Sequence, residues 1–88
     1  MTHYLKTWPD PFQKVRSGIK RAEFRKNDRT EKYKVNDTLV LQEFQPYSPD
    51  TTKRVGVFTG EEISVKVLDI TEGFGIPEGY VMMSIELS

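Results

Sequence analysis

Within Ser17–Arg29, SGIKRAEFRKNDR, five cationic side chains surround one glutamate, in a chain whose formal net charge is zero. Lys20, Glu23 and Arg25 are the residue types that recognition of a phosphorylated ligand requires. Arg25 offers a planar fork of donors to a phosphate or a base edge, Lys20 a mobile point charge, and Glu23 an acceptor able to discriminate an exocyclic amine. Arg21, Lys26 and Arg29 add positive charge around them. A purely electrostatic phosphate surface gains nothing from a carboxylate. Glu23 therefore points either to a specific contact or to an internal ion pair that holds Arg25 in position. As ion pairs on an exposed face the trio would contribute at most about 1 kcal/mol, which does not account for so dense a cluster.

The charge is segregated along the chain. From Lys14 to Lys34, nine Lys or Arg stand against three acids, a local charge of +6 that the remaining residues cancel. Such separation suggests a cationic patch facing a polyanion, with the acidic remainder limiting indiscriminate adhesion.

Other chemistries find little support. The absence of cysteine removes disulfides and thiolate metal sites, and a single histidine makes a nitrogen-rich metal site unexpected, so neither metal nor cofactor is assigned. Gly73-Phe74-Gly75 lacks the third glycine and following helix of a dinucleotide fingerprint. His3 has no serine elbow or cysteine nucleophile to serve and reads as a strand residue with a structural hydrogen bond. Glu61-Glu62 reads as a solvated turn. With 88 residues, 36% of them hydrophobic, one domain spanning 1–88 with one core is expected. No apolar run has the length of a signal peptide or of a membrane span, so the expected location is the cytoplasm.

The elements that must position the trio are mostly short strands. His3–Thr7 alternates weakly. Asp10-Pro11 reads as an N-cap and first helical position, Phe12 and Val15 as the buried side of about two turns, Gly18 as the stop, and Trp8 as a packing partner of Phe12. After Gly18 alternation places Ala22 and Phe24 towards the core and Arg21, Glu23 and Arg25 on the opposite face. Lys26–Lys34 reads as an exposed loop, Thr38–Phe44 as a strand with Leu39 and Leu41 inward, residues 45–54 as a long connection, and Val55–Phe58 as a short strand ending in a turn at Thr59-Gly60. Ile63–Val67 alternates, then Leu68 and Ile70 change parity, which implies either a bulge or a strand covered on both faces. A last strand runs from Tyr80 to Leu87, with Val81, Met83, Ile85 and Leu87 on one side. The class is α+β, mainly β: a small curved sheet or barrel of five to six strands with one short N-terminal helix.

The run Gly18–Arg29 resembles the signature of the ASCH domain of the PUA-like superfamily, G-x-K-x-x-E-x-R, matched here by Gly18, Lys20, Glu23 and Arg25. The continuation R-K-N-D-R, Val35-Asn36-Asp37 and the ending GFGIPEGYVMMSIEL resemble a short branch of that superfamily found in bacteria and phages. In that branch glycine usually stands where Asn36 is, and asparagine also tolerates the positive φ of a turn. The resemblance implies a PUA-like β-barrel with a cleft beside the first helix that takes RNA or a nucleotide. Some ASCH relatives resemble amidohydrolases acting on an acylated cytidine through a Lys, a Thr and a distant Glu. Lys20 retains the first of these, but Glu23 occupies the threonine position, and only Thr30, in the loop, could substitute. The leading reading is a non-enzymatic module whose partner is RNA or a nucleotide, bound by Lys20, Arg21, Glu23, Arg25, Lys26 and Arg29. The alternatives are a small hydrolase of a modified nucleoside and a protein-interaction domain of phage origin.

Overall fold

The computed structural model of the protein describes residues 1–47 and 54–88. Five strands and one helix follow in the order β1 (Thr2–Thr7), α1 (Pro9–Arg16), β2 (Ala22–Lys26), β3 (Thr38–Tyr47), β4 (Arg54–Thr71) and β5 (Tyr80–Leu87). They form one curled, half-barrel sheet of order β1-β3-β4-β5-β2. β1 runs parallel to β3, and the other pairs are antiparallel. The two outer strands, β1 and β2, are thus the edges that a closed barrel would pair.

Alternation supplies the core. Leu5 from β1, Leu39 and Leu41 from β3, Val65 and Val67 from β4, and Val81, Met83 and Ile85 from β5 are buried together with Phe12 and Val15 of α1. An eight-residue helix is too short to hold itself, so the burial of Phe12 and Val15 against the sheet is what keeps it. It starts two residues earlier than Asp10-Pro11 suggests, with Trp8 in the extended N-cap conformation and Pro9 in the first turn, where a missing amide costs nothing. Gly18 ends it at φ +81°, its amide donating to Val15 O at 3.0 Å. Lys20 N–H then donates back to Lys14 O at 3.0 Å, which ties the start of the cationic run to the helix end.

Four expectations are corrected. Neither Thr59-Gly60 nor Glu61-Glu62 is a turn, because β4 continues through both, with Glu62 paired to Gln42, and shifts of register against β3 between Gln42 and Phe44 absorb the irregularity. Gln45–Tyr47 belongs to β3 and Arg54 to β4, and the rest of the expected connection, 48–53, lies outside the described residues. Above all, β2 has the opposite parity. Glu23 is 2% exposed and Phe24 45% exposed. The pairing with β5 dictates this: Glu23 stands opposite buried Met83 and Arg25 opposite buried Val81, while Phe24 stands opposite the outward Met82. The parity change in β4 is a bulge, a register shift between Val67 and Asp69. Asn36 adopts φ +77° and donates its amide to Val67 O at 2.8 Å.

Candidate functional site

β1 and β2 leave a gap at one end of the half-barrel, and a cleft of about 350 Å³ opens there beside the start of α1. Its floor is the inverted segment of β2. Glu23 accepts from Lys20 Nζ at 3.2 Å through Oε1 and from Arg25 Nε at 2.9 Å through Oε2, so each carboxylate oxygen faces one cation. Arg25 reaches on across the gap, donating from Nη1 to Lys6 O at 3.2 Å and from Nη2 to Thr7 Oγ1 at 3.1 Å. One guanidinium therefore spans both edge strands of the sheet.

Burial changes what these ion pairs are worth. Glu23 is almost wholly removed from water while Lys20 and Arg25 keep side-chain exposures of 34% and 25%. The surface estimate does not apply, because an unpaired carboxylate at this depth would cost several kcal/mol. Lys20 uses one of its three N–H donors on Glu23 and Arg25 three of its five, and the trio keeps a net charge of +1. Trp8 and Phe24, 50% and 45% exposed, line the same cleft, with Lys6 beside them. The arrangement can present cationic donors to an anion while offering aromatic surface to a planar group.

The expected cluster is split. Lys20, Glu23 and Arg25 come together. Arg21 turns away, its Nε donating to Gly18 O at 3.3 Å, and borders a separate, more apolar cavity of about 340 Å³ beside Val15 and Leu68. Lys26 lies on the outer face of β2, 3.7 Å from Asp28. Arg29 packs over the Tyr33 ring at 5.8 Å, next to the N-terminal end of β1. Lys6, Thr7, Trp8, Pro11 and Phe24, the last expected in the core, are the cleft residues that sequence reasoning missed. The weak alternation of β1 held the signal for Thr7, since it shares parity with buried His3 and Leu5. Thr7 is not an activated nucleophile: its hydroxyl donates to Leu5 O at 3.2 Å and accepts from Arg25, so its proton is directed at a backbone carbonyl and not at a base.

His3 has the structural role expected of it. Buried beneath the Tyr33 ring, it donates from Nε2 to Asp37 Oδ2 at 2.7 Å. Burial pushes the Asp37 carboxyl up, but bonds from His3, the N-terminal ammonium and the Lys34 amide, with the ammonium's charge, outweigh it and hold the carboxyl below its ordinary value of 3.8. Among the described residues, no group of three or more His, Asp or Glu could hold a metal ion, and no helix is long and apolar enough to cross a membrane.

A family model described as a domain of unknown function (DUF3850) matches residues 2–85. Over 81 residues the chain is 37% identical to the "Uncharacterized 12.9 kDa protein in GpA 3'region" of Escherichia phage P2. The match covers 92% of this chain and 64% of the phage protein's length.

Proposed function

This chain belongs to the DUF3850 family, and we propose that it is a PUA-like module of the ASCH type whose cleft binds RNA or a nucleotide without transforming it. The observation that carries the reading is the buried Glu23 carboxylate, clamped by two cations that still have donors left over, at the floor of a cleft lined by half-exposed Trp8 and Phe24. A strut that merely closed the sheet would need neither an open cleft nor exposed aromatic surface. A simple phosphate patch would need no buried carboxylate. Together they suit a ligand with both an anionic group and a planar base. With both Glu23 oxygens already engaged, the carboxylate serves to fix Arg25 and Lys20 rather than to read an amine directly. The five-stranded curl with one early helix is compatible with the PUA-like assignment, and a ligand of this class is met in the cytoplasm.

The test is a titration with mixed short RNAs, short DNAs and mononucleotides at two salt concentrations. Binding should weaken with salt, with a log-log slope of roughly −0.7 per phosphate contacted on a single strand. Lys20→Ala should reduce both affinity and slope. Failure of every nucleotide and oligonucleotide to bind at low salt overturns the proposal.

A further inference from the structure

The inverted parity of β2 has an outer side as well as an inner one. Where Glu23 turns inward, Phe24 is forced out, and it stacks on Tyr80 of β5 with ring centroids 5.2 Å apart and planes 12° from parallel. Met82, opposite Phe24, extends the same patch. Exposed aromatics on the solvent face of an edge strand break the usual pattern, and such breaks are expected where a surface has a task beyond folding. The pair is also placed at a boundary. Phe24 lines the Lys20–Glu23–Arg25 cleft, while Tyr80 lines a second concavity of about 790 Å³ on the other side. Phe24–Tyr80 is therefore a ridge between two hollows.

The charge beside the ridge selects the occupant. Lys26 stands directly opposite Tyr80 on this face, 60% exposed and only loosely paired with Asp28, and the cleft adds the surplus donors of Lys20 and Arg25. Aromatic rings flanked by cations are what a single-stranded nucleic acid uses: bases stack on the rings and phosphates follow the charge. The second hollow carries Glu72 and Glu78 against one cation, Lys32, whose ammonium donates to Asn27 O at 2.7 Å, so its charge is net negative and the track ends at the ridge.

We propose that the ligand is a single-stranded nucleic acid rather than a free mononucleotide, with one nucleotide in the cleft and the next base stacked on the Phe24–Tyr80 ridge, its phosphate beside Lys26. This rests on the cleft being a nucleotide site, and the probes separate the two claims. Uridine monophosphate and the 5′-phosphorylated dinucleotide pUpU are titrated into the full chain at low salt. The dinucleotide should bind roughly 5- to 150-fold more tightly, the worth of one stacked base. Phe24→Leu keeps apolar bulk on the strand but removes the ring. It should abolish that advantage and, because the same ring lines the cleft, weaken uridine monophosphate binding as well. Tyr80→Leu removes the ring of the ridge that lies outside the cleft, so it should abolish the advantage while leaving uridine monophosphate binding within about twofold; circular dichroism checks that each variant folds, and a folding failure of one leaves the other decisive. Equal binding of the two probes by the unmodified protein, or a dinucleotide advantage that survives in the folded variant, overturns the ridge while the cleft stands. Absence of binding by either probe overturns both.

Discussion

Replacing Glu23 by glutamine removes one charge from the floor of the cleft with almost no change of shape, so its consequences can be worked from the geometry. The carboxylate accepts two charge-assisted hydrogen bonds, at 3.2 and 2.9 Å, and is 2% exposed. Bonds of this kind contribute about 1.5–3 kcal/mol each. Glutamine keeps one acceptor oxygen and turns an NH2 group towards the other cation, so one bond is lost and a donor faces a donor. Against this, Lys20 and Arg25 remain a third and a quarter exposed and recover some hydration, which brings the expected loss to about 2 kcal/mol. In a domain of this size that corresponds to a fall in Tm of roughly 8–16 °C. Thermal melts checked against urea midpoints measure it. Affinity for a short RNA should fall as well, despite the gain of positive charge, because Arg25 loses the partner of its Nε. A variant that melts within about 4 °C of the parent and binds RNA more tightly would refute the reasoning, leaving a screened pair on a surface held by phosphate attraction alone.

Arg25→Ala strands Glu23 with Lys20 alone and unpins β2 from β1, so urea denaturation should show a loss of about 3–5 kcal/mol. Arg25→Lys should restore less than half of it, since an ammonium cannot serve Glu23, Lys6 O and Thr7 Oγ1 together. For Asp37 the folded carboxyl lies below its ordinary value, so its contribution is fully present above pH 3.8 and is lost as the pH falls below that through the depressed value. Asp37→Asn should lower stability at neutral pH and flatten the acid limb of the melting profile; an unchanged limb would count against the His3–Asp37 pair as its source. Incubated with acylated cytidine, the protein should release no acid above background, and turnover that disappears in Lys20→Ala would reopen the hydrolase reading.

The frame was legible where one physical signal acted alone. Phe12 and Val15 announced the helix and Gly18 its end, and the parity change after Val67 left a bulge or a doubly covered strand, of which the structure has the bulge; the left-handed turn at Asn36 was legible only through the family resemblance. The long arm of β3 and β4 was not legible. Gln45-Pro46-Tyr47 and Thr59-Gly60 have the composition of breaks, and what overrides it is the ladder itself, which pairs Gln45 with Val57 and lets irregular register take up the misfit. Turn chemistry is a local preference, and a sheet edge already in place outweighs it.

At the site the failure is more instructive, because the rule that failed is the one on which strand reading rests. Alternation assigns the apolar parity to the core, and in Ala22-Glu23-Phe24-Arg25 that parity is Ala22 and Phe24. The rule presumes that a buried charge has nothing to meet. Here Gly18 turns the chain so that Lys20 bonds back to the helix end and meets Glu23, and the neighbouring edge strand supplies Lys6 O and Thr7 Oγ1 to Arg25. These partners are three to nineteen residues away in sequence, beyond the reach of a pattern read two residues at a time. What could have been read is the cost of the alternative. With Phe24 inside, Glu23 and Arg25 would be a screened pair contributing little, and the density of charge from Lys20 to Arg25 would be unexplained. Once Glu23 is inside, the same four residues make a polar floor and an aromatic rim at once, so the single inversion that hides the site from the sequence is also what builds both of its halves.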